Sequence, residues 1–242
     1  MVDIHCHILP GIDDGSADWA TTTQMCRMAV RDGITHIVAT PHCDGHYEYD
    51  RAHFTDMLAT LSEVSNGRLT FSIGCDFHMS PHNIEAAMTD PRPYAIGDTQ
   101  YLMVEFDHHG IPSNAGELLR TLLSRGMVPI VTHPERNSIL RAQHERLISW
   151  VRLGCFVQVT ANAFTGFWGP KSKKAAEKLL HSNAIHIVAT DAHDFQLRPP
   201  ILSEARTRIA KLAGAEVAEA LVNHNPAAVV AGQSVAVLPG KR

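Results

Sequence analysis

The chain has 242 residues, 45% of them hydrophobic, and 21 Lys plus Arg against 25 Asp plus Glu give a formal charge of -4. That size predicts one domain, over 1–238, with a loose tail at 239–242; the charge balance argues against a broad nucleic-acid footprint. No apolar run reaches the roughly 18 residues of a membrane span, whereas 16 His is more imidazole than a solvated surface calls for.

Residues 2–6 read as a short apolar strand. His5 and His7 lie two apart, which on extended backbone puts both rings on one face. Asp3 shares that parity and is a candidate ligand or orienting group. The turn Asp13-Asp14-Gly15 follows, with Asp14 preferred as a ligand although spacing hardly separates it from Asp13. An opening this acidic is not a signal peptide. A helix is expected over 16–32, capped by Ser16 or Asp18. A strand at 34–39 runs into Thr40-Pro41-His42.

After a helix at 51–65, a strand at 69–74 leads to Asp76, with His78 competing for the same role. A helix at 80–89 precedes a strand at 101–106 that contains Glu105. A carboxylate closing an apolar run is costly unless it is solvated, paired or metal-bound. A helix at 114–125 leads to a strand at 128–131, then His133, Glu135 and Arg136. Arg136 either pairs with Glu135 at the surface or reaches a phosphate oxygen, where its fork fits well.

A helix at 139–152, a strand at 155–159, a helix at 171–181 and a strand at 185–189 follow. The last strand ends in Asp191 and His193, repeating the two-residue spacing of the opening. A helix at 200–212 and a short one opened by Asn225-Pro226 complete the series. Gly33, Gly126 and Gly154 each close a helix just before a strand. Tyr47 and Tyr49 after His42, and Phe164, Phe167 and Trp168 further on, are candidate aromatic rims for a substrate ring.

Seven βα units with nearly continuous apolar strands predict parallel strands covered on both faces. Candidate ligands come from nearly every strand end. That favours a barrel, closed or nearly so, over an open doubly wound sheet, whose ligands gather at one or two crossover points. The candidates are His5, His7, Asp14, His42, Asp76, Glu105, His133, Asp191 and His193. A mixed nitrogen and oxygen set suits Mn, Fe or Zn. It exceeds what one ion can use, so two or three divalent ions are expected, an arrangement suited to clamping a phosphoryl group. The five cysteines are widely spaced with no Cys-x-x-Cys pair, as for reduced thiols in the cytoplasm.

The ordered motifs resemble those of the polymerase and histidinol phosphatase (PHP) superfamily. Within it the chain is most similar to the metal-dependent protein tyrosine phosphatases of bacterial capsule and exopolysaccharide systems. The matching segments are Asp3-Ile4-His5-Cys6-His7, Asp13-Asp14-Gly15, Thr40-Pro41-His42, Val104-Glu105-Phe106, His133-Pro134-Glu135-Arg136-Asn137 and Thr190-Asp191-Ala192-His193. They run in order from residue 2 to about 230.

The resemblance implies a distorted (β/α)7 barrel with three metals, manganese first among the choices. One metal would take His5, His7, Asp76 and Asp191; a second Asp76, Glu105 and His133; the third Asp14, His42 and His193. It also implies phosphotyrosine hydrolysis by a metal-bound hydroxide, with Arg136, Asp14 and His42 in catalytic roles. The protein substrate would be one such as the tyrosine-rich tail of a polysaccharide-assembly kinase. One departure stands out: the family often has Glu where this chain has Asp76, which bears on metal spacing.

None of the five cysteines has an arginine six positions later, so a cysteine-based phosphatase loop is not supported. Rival expectations are a small phosphomonoesterase such as histidinol phosphatase, a PHP- or TatD-like phosphodiesterase or nuclease, and a scaffold with structural metal. His193 favours the PHP pattern over the TatD one.

Overall fold

The computed structural model describes residues 1–235; the tail expected at 239–242 lies outside the described residues. Among the described residues nine strands are formed: β1 (Val2–Cys6), β2 (His36–Ala39), β3 (His42–Cys43), β4 (Thr70–Ile73), β5 (Asp76–His78), β6 (Tyr101–Glu105), β7 (Val128–Thr132), β8 (Phe156–Thr160) and β9 (Ile187–Ala189). All pairings are parallel, in one sheet of order β1-β2-β4 and another of order β3-β5-β6-β7-β8-β9.

The two sheets are parts of one wall. Pro41 has no N–H to donate, and it separates β2 from β3 within one extended run. Gly74 separates β4 from β5. A Cβ there would fall 3.0 Å from Val38 and 3.2 Å from Ile96 and Thr40, so any larger residue would have to push these side chains aside. Hydrogen bonds from Gly74 N–H to Ala39 O (2.8 Å) and from Asp76 N–H to Pro41 O (3.0 Å) carry the pairing across both breaks. Counted as continuous runs, the wall has seven members. A parallel bridge joins Cys6 to Ala192, and His7 N–H donates to Ala192 O at 2.8 Å. The last strand is thereby tied to the first, as a distorted seven-membered barrel requires.

The connecting helices are α1 (Trp19–Asp32), α2 (Arg51–Val64), α3 (Pro81–Thr89), α4 (Ala115–Ser124), α5 (Ser138–Ala142), α6 (His144–Leu153), α7 (Ala161–Thr165), α8 (Gly169–His181), α9 (Ser203–Ala213), α10 (Ala215–Glu219) and α11 (Asn225–Val230). Asp18 caps α1 by accepting from Thr21 N–H at 2.7 Å, while Ser16 turns inward to Thr22. Gly33 ends that helix at φ 88°, a left-handed value that glycine adopts without strain.

The expected helix at 139–152 is two helices, because Gln143 leaves helical geometry at φ -109°, ψ 45°. Two further elements have no counterpart in the sequence expectation: the short α7, and α10 with the π-helical turn Ala220–His224 that follows it. No helix among the described residues is long and apolar enough to cross a membrane.

The N-terminal ends of the strands are plugged by a small apolar cluster that includes Val2, Ile4, Tyr101, Met103, Ile130 and Ile187, with Val229 of α11. Burying each such aliphatic side chain contributes about 1.5–3 kcal/mol. The C-terminal ends are left to polar residues, the division of labour usual in parallel barrels.

His186 sits at the apolar end, stacked on Phe156 with centroids 4.6 Å apart, and its Nδ1 accepts from Val157 N–H at 3.1 Å. Burial lowers its pKa to about 4. Below about pH 6.5 the unfolded chain takes up that proton first, so this contribution to stability is lost as pH falls from 6.5 towards 4. The stability gap between wild type and His186→Gln is expected to change by ~2 kcal/mol between pH 7 and pH 5. Urea unfolding at each pH measures it; a gap independent of pH would mean that the ring ionises freely in the folded protein.

Candidate metal centre

The nine side chains of the candidate set come together at the C-terminal end of the barrel. His5 Nε2 lies 3.3 Å from Asp76 Oδ2 and 3.4 Å from Asp191 Oδ1. His7 Nε2 is 3.4 Å from the same Asp191 oxygen. His42 faces two ways, with Nε2 3.4 Å from Asp14 and Nδ1 3.5 Å from Asp76 and 3.7 Å from Glu105. His133 Nε2 is 3.5 Å from Glu105, and His193 Nε2 is 3.3 Å from Asp14.

Among the described residues three groups have ligand atoms within 4.8 Å of one another: His7-Asp14-His42-His193, His5-His7-Asp76 and His42-Asp76-Glu105. His7, His42 and Asp76 are thus each shared between two groups. His133 adjoins the third group through Glu105, and Asp191 the second through His5 and His7.

The local chain explains this convergence. Asp13 and Asp14 divide their tasks. Asp13 accepts from His7 Nδ1 at 2.7 Å and from the His42 backbone N–H at 3.0 Å, so it orients the His7 ring and anchors the chain at His42. Asp14 projects between His42 and His193 with its side chain 53% exposed. Gly15 makes the turn possible, since a Cβ there would lie 2.3 Å from His7 O and 2.4 Å from His7 Cβ. Gly15→Ala is therefore expected to displace His7 and cost about 10- to 100-fold in metal affinity. Metal titration followed by elemental analysis checks it; unchanged affinity would show that the turn can shift without moving the ring.

Asp3 is not in the cluster. It accepts from Thr190 N–H at 2.9 Å and from the Thr190 hydroxyl, tying β1 to the end of β9. His78, the rival of Asp76, also lies outside all three groups.

The electrostatics fit a cation. Asp76 is fully buried, and neither of its oxygens receives a hydrogen bond; His42 Nδ1 is likewise without one. Burial opposes the charge on Asp76, but the rings of His5, His42 and His133 outweigh it and hold its pKa well below the usual carboxylate range. Burial and the Asp76 charge push Glu105 up to about 8. His5 is raised to about 9, with burial overcome by Asp76 and Asp191. Carboxylates packed this closely need positive charge between them. Divalent ions would supply it, displacing protons as they bind. The donor set, oxygen and imidazole with no thiolate, suits such ions.

Arg136 does not pair with Glu135. Glu135 is buried and accepts from Thr160 N–H at 2.9 Å. Arg136 instead bonds Asp191 Oδ2 and lies over the Trp168 ring, 4.1 Å from its centroid.

Two residues of the site were not foreseen. Arg198 reaches the same Asp191 oxygen at 2.6 Å. The signal was local: Asp194 Oδ1 accepts from the N–H groups of Gln196, Leu197 and Arg198, which curls the loop back. Gln158 accepts from His5 Nδ1 at 3.0 Å and fixes that ring. Its signal was an amide inside the apolar run Phe156–Thr160.

Of the candidate rims, Tyr47 faces His42 in a stacked pair at 6.1 Å, whereas Tyr49 donates to Gly74 O and packs on Phe54 and Tyr94. Phe164 is core, 1% exposed, while Phe167 is 52% exposed. The backbone is also unusual at two site residues: His133 has φ 30° and Asp191 φ 53°, both left-handed.

Comparison with known proteins gives consistent matches. The family described as "Capsular polysaccharide synthesis, CpsB/CapC" matches residues 1–231. The tyrosine-protein phosphatase YwqE of Bacillus subtilis is 34% identical over 225 residues, covering 90% of this chain and 87% of YwqE. A solved structure described as one of the unique metal-dependent tyrosine phosphatases YwqE from Bacillus subtilis and CpsB from Streptococcus pneumoniae superposes with a TM-score of 0.92. It is 31% identical and covers 99% of this chain and 98% of its own. Histidinol phosphate phosphatase from Lactococcus lactis subsp. lactis Il1403 shares the fold, with a TM-score of 0.57 at 13% identity, over 88% of this chain and 93% of its own.

Proposed function

The chain belongs to the capsular polysaccharide synthesis family CpsB/CapC, and on that premise we propose that it is a metal-dependent phosphatase acting on phosphotyrosine in proteins. The observation that carries this reading is the similarity, over 99% of the chain, to a solved tyrosine phosphatase described as metal-dependent.

The nine clustered side chains would hold the metals, with Asp76, His7 and His42 placed between neighbouring groups. Two or three ions are our reading of that number. Manganese is put ahead of iron and zinc on the family resemblance alone; five imidazoles and four carboxylates, with no thiolate, suit all three. Bound divalent ions make water a nucleophile at neutral pH and polarise phosphoryl oxygens.

The rest of the reaction falls to the protein. Arg136 and Arg198 stand side by side on Asp191, partly open to the cleft. Their guanidinium forks are placed to meet non-bridging phosphate oxygens as charge shifts onto them. Asp14, half exposed between His42 and His193, is placed to accept a proton from the attacking water. His42 holds Asp14 from one side, and Tyr47 beside it offers a flat face to the substrate ring. Phenolate is a good enough leaving group to depart with little help from an acid.

The family's link to capsular polysaccharide points to a protein of polysaccharide assembly as substrate, such as the tyrosine-rich tail of its kinase. Five free, buried cysteines accord with a cytoplasmic site of action.

Chelation should abolish turnover of a phosphotyrosine peptide, and Mn should restore it. The rate should fall from phosphotyrosine peptide to phosphoserine peptide to histidinol phosphate. Full activity after verified metal removal would refute the metal mechanism. Faster turnover of histidinol phosphate, or of single-stranded DNA, would replace the substrate.

A further inference from the structure

Only six lysines occur in the chain, and four of them, Lys171, Lys173, Lys174 and Lys178, lie within eight residues of α8. In a chain of net charge -4 this concentration is unexpected. Lys171, Lys174 and Lys178 are spaced three and four apart, so they share one helix face. All three are exposed. Among the described residues no ion pair involves them; Glu177, the one acid of α8, pairs with Arg208 at 2.9 Å instead.

That face borders the metal centre. A cleft of about 480 Å³ is lined by Arg136, His108, Trp168, Arg141 and Lys171. A second, of about 450 Å³, shares Arg141 and Lys171 with it and continues past Lys174 and Lys178. The first turn of α8 has no side-chain cap, so its N–H groups add to the positive potential there.

We propose that these two clefts form a basic track that binds anionic side chains flanking the target phosphotyrosine. The inference rests on the phosphatase reading for the identity of the target residue. From Trp168, against Arg136, to Lys178 the helix rises about 15 Å, which an extended peptide spans in about five residues. The track therefore selects substrates with carboxylates or further phosphates within about five residues of the reacting tyrosine.

The test uses the full-length, metal-loaded protein and a triple variant, Lys171→Ala with Lys174→Ala and Lys178→Ala. Four substrates are compared: p-nitrophenyl phosphate, and a phosphotyrosine peptide with neutral flanks, with glutamate flanks, or with a second phosphotyrosine. Wild type is expected to favour the anionic peptides by about tenfold in kcat/KM, through KM, and less so at high salt. The triple variant should lose that preference while keeping wild-type rates on the neutral peptide and p-nitrophenyl phosphate. The glutamate and second-phosphate arms show which anion the track reads.

Equal kcat/KM for neutral and anionic peptides, or a preference that survives in the triple variant, overturns the proposal. Lysine-dependent pelleting on anionic vesicles without any peptide preference overturns it in favour of a membrane surface. Binding of the glutamate-flanked peptide carrying unmodified tyrosine, read by fluorescence anisotropy, separates this inference from its premise. If no phosphotyrosine is hydrolysed but binding still needs the lysines, the phosphatase reading falls and the track stands. Binding that is equal in the triple variant removes the track.

Discussion

Asp76→Asn is expected to lose most of its bound metal and more than a hundredfold in turnover of a phosphotyrosine peptide. The Asp76 carboxylate lies between His5, at 3.3 Å, and His42, at 3.5 Å, with no solvent access and no hydrogen bond to either oxygen. An amide keeps the shape but removes the charge. It also turns an NH2 group towards ring nitrogens that ought to face a cation. Because a ligand that binds only the folded state raises its stability, the metal-induced rise in melting temperature should shrink together with the metal content. Asp76→Glu should retain both, since the carboxylate charge is kept. His78→Ala should retain the metal as well, its ring being outside every group. Wild-type metal stoichiometry in Asp76→Asn, or its loss in His78→Ala, would transfer the bridging role to His78.

Arg136→Ala is expected to keep the metals and lose about a hundredfold or more in turnover, as when one donor to a charged transition state is removed. Arg136 and Arg198 bind only the outer oxygen of Asp191, whereas its other oxygen faces His5 and His7. Loss of one guanidinium leaves Asp191 partnered by the other. Arg198→Ala should therefore resemble it, and the double variant should fall further while beginning to lose metal. Arg136→Lys should recover little, because an ammonium has no planar fork and stacks less well on Trp168. Near-normal turnover in Arg136→Ala would mean that Arg136 does not touch the phosphate. Metal lost in step with rate would make it a support for Asp191.

What could be read from the sequence and what could not have a common physical basis. His5, Glu105, His133 and Asp191 were legible because each interrupts or closes an apolar run, where an unpartnered polar group is costly. The strand ends were legible for the same reason, and with them the barrel. Arg198 and Gln158 leave only faint local signals, an Asp194-capped loop and an amide inside an apolar run, and neither signal names its partner, Asp191 seven residues back or His5 on β1. The same holds for Asp13 and Asp14. They are equivalent in sequence, and only the turn at Gly15 decides which orients a ring and which faces the cleft. Pro41 and Gly74 are visible as interruptions, but continuity of the wall through them depends on backbone bonds to neighbouring strands. α7 has five residues and follows directly on β8, too short for a helical period to show. For that reason the sequence left open whether Phe164 lines a rim or anchors a loop, and its burial makes it an anchor.

The left-handed backbone at His133 and Asp191 sets selection for folding against selection for chemistry. Such a conformation costs an L-residue other than glycine on the order of 1 kcal/mol, and marginal stability makes that a sizeable fraction of the whole. Glycine would remove the strain at either position, and asparagine would reduce it. A library of this chain screened only for thermal stability should therefore accumulate glycine or asparagine at 133 and 191. A duplicated gene freed from its catalytic task should drift the same way, losing ligands at these two positions before it loses His5 or Glu105, whose backbones carry no such strain. In a set of related sequences, glycine or asparagine at these two positions would then mark the members that have kept the barrel and abandoned the reaction.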